Sequence, residues 1–295
     1  MKKSKKLQKL KNRSPKIFVW RYVEGYKKNR EKILSLVDKV FRSGQLILSK
    51  EVNNFENNFA KFTKNKYAVG VNSGTDAIQI ALMSLGIKKK DEVITVSNTA
   101  VPTVSAIVSC GAIPVYIDIN KNDYLINTDL IEKRITKKTK AIIPVNLYGQ
   151  SANYEIINKI SKKYNLKVIE DCAQSAGAMY KNIPSGSWGD LSAFSFYPTK
   201  NLGGYGDGGM IVTKNKNLFL KCKKLRKYGM SKLYYSDLHG INSRLDEVQA
   251  VILDFQLKIL NSNIIKRRKI AHIYNDYLNK TDLILPKENK NNYHA

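Results

Sequence analysis

Seven short apolar runs punctuate the middle of the chain: "AVGVN" (68–72), "VITVS" (93–97), "PVYIDI" (114–119), "AIIPVNLYG" (141–149), "KVIEDCA" (167–173), "LSAFSF" (191–196) and "GMIVT" (209–213). Several are apolar almost without interruption, as expected of strands covered on both faces rather than on one. Between most of them, apolar positions recur at helical spacing. The clearest case is Thr75–Leu85, with Ile78, Ala81, Leu82 and Leu85 on one face and Gly86 as a stop signal. Two helices are predicted upstream, over 26–43 (Ile33, Val37, Val40, Phe41) and 52–62. Strands alternating with helices imply an α/β fold with a mostly parallel sheet, covered by helices on both faces.

The texture changes after Gly240. Leu245, Val248, Ile252, Phe255 and Ile259 form a helical seam, opened by "SRLD", in which Ser243 is predicted to start a capping box. A second, more basic helix is expected from about Ile264 to Leu278, and "NNYHA" follows without a further strand. Three parts result: a basic tail and N-terminal arm over 1–30, a large domain over 31–243, and the start of a smaller domain over 244–295. The tail itself, residues 1–13, reads as flexible.

Composition trims the range of functions. A hydrophobic fraction of 43% is ordinary for a globular chain, and no apolar run is long enough to cross a bilayer. The N-terminal "MKKSKKLQKLKNR" has no apolar stretch after it, so it does not read as a secretion signal. Cys110, Cys172 and Cys222 are odd in number and share no metal-ligand spacing, which fits a reducing cytoplasm and no metal site. A net charge of +27 raises the question of nucleic acid. The lysines, however, are scattered in clusters such as 88–90 and 137–140, without an aromatic-interleaved basic stripe, and a solvated surface is the expectation.

Ligands of open α/β sheets sit at the carboxyl ends of the strands. Three strand ends carry candidate chemistry. After "AVGVN" comes "SGTDA", where Gly74 permits close backbone approach and the helix from Thr75 offers free N–H groups. That makes either a phosphate cradle or a plain Ser/Thr cap with a tight turn. After "KVI" come Glu170 and Asp171, carboxylates that are costly at a buried strand end unless paired. An ion pair would satisfy such a group, and so would the protonated nitrogen of a pyridine ring. After "LSAFSF" comes Lys200, among small and apolar neighbours: a surface lysine, or one partly desolvated and able to form a Schiff base. Gly204, Gly206 and Gly209 spell G-x-G-x-x-G, but the pattern precedes a strand instead of opening a helix, so it is no dinucleotide fingerprint.

Phosphate cradle, ring-nitrogen acid and Schiff-base lysine, in that order, are the parts of a pyridoxal phosphate site. The chain resembles the DegT-type sugar aminotransferases of the aspartate-aminotransferase fold (fold type I). The resemblance rests on "SGTDAIQIAL", "DEVITVSNTAVPTVSAI", "KAIIPVNLYGQ", "KVIEDCAQSAGA", "AFSFYPTKNLGGYGDGG" and "GINSRLDEVQA". It implies that Lys200 anchors the cofactor and shuttles a proton, and that Asp171 keeps the pyridinium protonated. It places Gln174 near the ring hydroxyl, and Gly74, Thr75 and Ser195 at the phosphate. Asn242 would reach the cofactor phosphate of a neighbouring subunit, so a homodimer with shared active sites is implied. L-glutamate would be the amino donor and a nucleotide-linked keto-sugar the acceptor, in look a dTDP-3-keto-6-deoxyhexose. The family then serves amino-sugar biosynthesis, for surface polysaccharide or a secondary metabolite.

Two departures accompany the resemblance. Many relatives carry a ring-stacking aromatic residue where this chain has Ala100. They also continue past the point where this chain stops, which suggests a truncated small domain and an unpartnered apolar seam on the Leu245 helix. An inactive remnant or a partner-binding subunit is the alternative expectation.

Overall fold

The computed structural model describes residues 21–295; the basic tail lies outside them. Two compact units divide between Ser35 and Leu36, and the candidate site is built within the second. Helix α1 spans Tyr22–Ser43 and α2 spans Lys50–Phe62. The alternating segment follows: β1 Tyr67–Val71, α3 Gly74–Ser84, β2 Glu92–Val96, α4 Val101–Ser109, β3 Ile113–Ile117, β4 Thr139–Ile143, α5 Tyr154–Tyr164 and β5 Lys167–Asp171. Next come the short β6 Met179–Tyr180 and β7 Ile183–Pro184, then β8 Leu191–Ser195, β9 Gly209–Thr213 and α6 Lys216–Leu225. A hairpin of β10 Met230–Lys232 and β11 Tyr235–Ser236, the long α7 Glu247–Leu278, and β12 Asn292–Tyr293 complete the chain.

The seven predicted apolar runs all become strands of one sheet, in the order β1-β9-β8-β5-β4-β2-β3. Neighbours pair in parallel except at β9, which is antiparallel to both β1 and β8. Because strand side chains alternate, each strand feeds two layers. Val69, Ile169, Ala193 and Ile211 join Ile78, Ala81, Ile107 and Cys222 from α3, α4 and α6 in one core. Phe194, Met210 and Val212 join Phe55, Phe59, Leu253 and Leu260 from α2 and α7 in another. Both faces are therefore covered, as the uninterrupted apolar runs require.

The region after Gly240 departs from expectation in four ways. First, α7 is one continuous helix. The second helix expected from about Ile264 is its continuation, because no glycine or proline interrupts 247–278 and nothing forces a break. Second, the helix cap is Asp246, and Ser243 is buried elsewhere in the fold. Third, the residues that pack into the core shared with α2 are Leu245, Ala250, Leu253, Leu260 and Ile264, so of the predicted seam only Leu245 is among them, and the apolar face of α7 is partnered. Fourth, β12 pairs with β6, so the terminal segment does add a strand.

Three buried charged residues tie α2 to α7 and to the edge of the sheet. Glu247, 1% exposed, accepts hydrogen bonds from the backbone N–H groups of Ser49 (2.6 Å), Glu51 (2.7 Å) and Val52 (3.2 Å). Ser49 makes no side-chain cap of its own, so a carboxylate nearly two hundred residues away caps α2 and complements its dipole. Glu56 of α2 pairs with Arg226, both buried, at the free edge of β1. There Gly70 N–H donates to Glu56 (2.8 Å) and its carbonyl accepts from Arg226 (2.7 Å), so the ion pair satisfies an edge that has no strand partner among the described residues. Arg226→Ala would leave Glu56 buried and unpaired. It is expected to cost about 3–5 kcal/mol, read as a lowered midpoint in urea unfolding.

Candidate functional site

Strands β1, β5 and β8 run the same way, so their carboxyl ends open at one edge of the sheet, and β9 enters there from the opposite direction. Gly209 is opposite both Val71 and Ser195. This register stacks the "SGT" turn directly over the start of β9. A Cβ on Gly209 would lie 2.3 Å from the Ser73 carbonyl oxygen, and a Cβ on Gly74 would lie 2.7 Å from the Ser195 Cβ. Only glycine fits at either place. Gly74, Thr75 and Ser195, predicted together, are indeed together.

The turn is both a cap and a cradle. Ser73 Oγ accepts from Asp76 N–H (3.1 Å) and its carbonyl takes that of Ala77 (3.0 Å). The amides of Gly74 and Thr75 meet no acceptor among the described residues, which leaves a helix N-terminus with donors to offer an anion. Ser243 holds this turn from behind. Its hydroxyl accepts from Asn72 N–H (3.0 Å) and donates to Asp76 Oδ2 (2.7 Å). The sequence signal "SRL" was read as a helix start; the residue instead spans from the α7 approach to the first turn of α3.

At the end of β5 the strand's alternation separates two adjacent carboxylates. Glu170 is fully buried and accepts from the N–H groups of Gly186, Trp188 and Gly189 and from Ser192 Oγ, at 2.7–2.9 Å. It is satisfied by dipoles, not by the ion pair expected as its ordinary explanation. Asp171, 3% exposed, is treated differently. Thr103 Oγ1 donates to its Oδ2 (2.7 Å) and Ala173 N–H to its Oδ1 (3.1 Å). No cation is within ion-pairing distance of it among the described residues. Burial raises its carboxyl above the usual range, against the opposing pull of those two hydrogen bonds and of the nearby Lys200 charge.

Lys200 sits on the loop between β8 and β9. The loop is pinched at its base, where Phe196 N–H donates to Gly208 O and Gly204 N–H to Phe196 O, both at 2.8 Å. Gln249 of α7 fills the space beside Gly204 and Gly206, where a Cβ would lie 2.8 Å from its amide, and accepts from Tyr205 N–H (3.0 Å). Lys200 lines a cavity of about 290 Å³ with Tyr148, Gln174, Thr199 and Asn201. Gln174 Oε1 accepts from Tyr148 N–H (2.9 Å), which leaves its NH₂ end as a free donor. Tyr148 also borders a larger cavity of about 680 Å³, walled by Tyr124, Tyr274, Arg267 and His272. Asn242 is exposed, and no hydrogen bond joins it to the other predicted residues within this chain. Ala100 is the cap residue of α4, one turn before Thr103.

Sequence reasoning missed Thr103, Ser243 and Gln249. Thr103 lies inside a motif quoted for the resemblance, but nothing in "NTAVPTVSAI" says which hydroxyl faces β5. The Gly74–Ser195 contact predicts a measurable coupling. Gly74→Ala is expected to cost about 1–3 kcal/mol by overpacking. Combined with Ser195→Gly the loss should be less than additive by on the order of 1 kcal/mol, in a double-mutant cycle of unfolding free energies.

The comparisons with known proteins agree with one another. Residues 27–295 match the model of the DegT/DnrJ/EryC1/StrS aminotransferase family. A dTDP-3-amino-3,4,6-trideoxy-alpha-D-glucose transaminase from Micromonospora megalomicea subsp. nigra is 47% identical over 262 residues, 88% of this chain and 70% of the relative. Among solved structures, DesV of S. venezuelae in complex with a ketimine intermediate superposes with a TM-score of 0.92 at 36% identity, covering 95% of this chain and 76% of that one. The NtdA protein of Bacillus subtilis, with its cofactor PMP bound, gives 0.85 at 34% identity, covering 90% and 61%.

Proposed function

Because the chain belongs to the DegT/DnrJ/EryC1/StrS aminotransferase family, we propose that Lys200, Asp171, Gln174, Gly74, Thr75 and Ser195 hold its cofactor, with Lys200 as the covalent anchor. The enzyme is a pyridoxal-phosphate-dependent sugar-nucleotide aminotransferase. The observation that carries the site reading is Asp171: a buried carboxylate without a cation, within electrostatic reach of a lysine in a cavity. A protonated ring nitrogen is the partner that this carboxylate lacks. The unfilled amides of Gly74 and Thr75 suit the phosphate at the other end.

When bound, the cofactor supplies an electron sink and carries the amino group between donor and acceptor. The protein's residues do the rest. Lys200 Nζ holds the cofactor between turnovers and moves the proton at the reacting carbon. Asp171 keeps the ring nitrogen protonated. Gln174, its oxygen already taken by Tyr148, would have its NH₂ left to donate to the ring hydroxyl. The donor in this reading is L-glutamate and the acceptor a dTDP-linked 3-keto-6-deoxyhexose. The larger cavity beside Tyr148 offers tyrosine faces and the Arg267 guanidinium for a nucleoside diphosphate. Exposed Asn242 serves the cofactor phosphate of a second subunit, in a homodimer that works in the cytoplasm. The three thiols are free, with burial pushing Cys110 up to about 11 and Cys222 up to about 12.

The test is the visible absorption spectrum of the chain with pyridoxal phosphate, beside Lys200→Ala and Asp171→Asn. A lysine-dependent band that bleaches with L-glutamate is expected; folded protein without such a band would overturn the reading. Asp171→Asn separates binding from stability. A raised folded-state pKa favours the neutral carboxyl, so the contribution of Asp171 to the cofactor-free fold is full below the unfolded carboxyl's pKa and is lost as pH rises from there through the raised folded-state pKa. At neutral pH the variant should therefore melt no lower than wild type without cofactor, yet bind the cofactor at least tenfold more weakly, a loss of about 1.4 kcal/mol or more.

A further inference from the structure

Asp171 is reached from one direction by a short chain of hydroxyls. Thr103, 1% exposed, places Oγ1 2.7 Å from Asp171 Oδ2, and Thr99 Oγ1 lies 2.8 Å from Thr103 Oγ1. A threonine hydroxyl has one proton to donate. With Asp171 ionised, Thr103 must spend that proton on the carboxylate, so Thr99 is the donor in the second bond. With Asp171 protonated, the order can reverse, and Thr103 then donates to Thr99. The pair is thus a hydrogen-bond chain whose direction follows the charge on Asp171.

Position reinforces this. Thr99 and Thr103 flank the start of α4, one turn apart, with Ala100 as the cap and Pro102 in the first turn. Helix α4 packs against α3 and β3, so the hydroxyl is delivered from a rigid element and not a loop. The second oxygen of Asp171 is fixed by Ala173 N–H on its own strand end. Both carboxylate oxygens are therefore held, one by each side of the site.

We propose that Thr103, with Thr99 behind it, is the positioning residue that holds Asp171 as an oriented anion facing the cofactor ring. This rests on the assignment of Asp171 to the ring nitrogen. The other titratable groups on or near Asp171 are Lys200, whose charge acts on it, the adjacent Glu170, whose carboxylate is bound by Gly186, Trp188, Gly189 and Ser192, and Cys172 and Tyr154, whose thiol and phenol burial raises well out of the neutral range. Neither Cys172 nor Tyr154 carries charge near neutrality. Thr103 and Ala173 are then the hydrogen bonds that favour the anion, beside the charge of Lys200.

The experiment compares wild type, Thr103→Val, Thr103→Ser, Thr99→Ala and Asp171→Asn for pyridoxal phosphate affinity across pH. Affinity is read by equilibrium dialysis, and the visible band of each loaded protein is recorded in parallel. Thr103→Val should weaken binding roughly tenfold at neutral pH, as expected for loss of a hydrogen bond to a charged group. It should also move the acid limb of the affinity profile to higher pH by roughly one unit, because the anion is harder to form without its donor. Thr103→Ser should restore both, and Thr99→Ala should give a smaller shift in the same direction. A Thr103→Val protein that binds more weakly with an unmoved acid limb would reduce Thr103 to packing and overturn the proposal. If Thr103→Val does not fold, Thr99→Ala decides alone: an unshifted profile overturns it. Should Asp171→Asn bind as tightly as wild type with the same band, the assignment of Asp171 itself falls.

Discussion

A carboxylate buried without a cation governs this fold. Asp171 stands at the end of a central strand, where desolvation opposes its charge and the surrounding groups meet the cost only in part. One residue earlier, Glu170 shows the alternative. Its carboxylate faces the other side of the sheet and is bound by three amides and a hydroxyl. Two identical charges on consecutive residues thus have opposite purposes. One is satisfied within the chain and fixes the loop from Gly186 to Gly189. The other is held by two hydrogen bonds, with no ion-pair partner among the described residues.

The rest of the site follows from keeping that edge of the sheet in register. Gly209 is opposite a residue on each neighbouring strand, Val71 and Ser195, and the "SGT" turn can lie on it only because Gly209 has no side chain. Ser243 then pins Asn72 and Asp76, and the Arg226–Glu56 pair fixes the strand that leads into the turn. These supports are not themselves candidates for contact with a ligand. They set the height and angle of the amides that are.

Much of this was legible in the sequence, and the part that was not has a common physical cause. Strand runs, helix spacing and strand-end positions are local patterns, so β1 to β5, β8 and β9 could be read directly, and Lys200, Asp171 and the turn at Gly74 could be placed at strand ends, while the two-residue β6 and β7 were too short to leave a pattern. Ser243 looked like a cap because a serine before an apolar helix often is one. Its real partners lie some 170 residues away. The same holds for Glu247, whose acidic position in the first turn of α7 is ordinary by dipole arguments and whose actual use is to cap another helix. Polar residues that act at a distance in sequence leave no periodicity behind. The division of α7 into two helices is a different failure, since the change from an apolar seam to a basic stretch alters what a helix faces without ending it.

The cap that Glu247 supplies to α2 also orders events in time. Its donors lie at Ser49 to Val52, and the sequence separation is 198 residues for the first of them. On a ribosome, α2 emerges with its N-terminal amides unmet and its phenylalanines without the α7 face that later covers them. They stay so until the chain has passed the whole sheet. Closure of this layer is therefore a late, long-range step, of the kind that slows folding and leaves apolar surface open to chaperones in the interval.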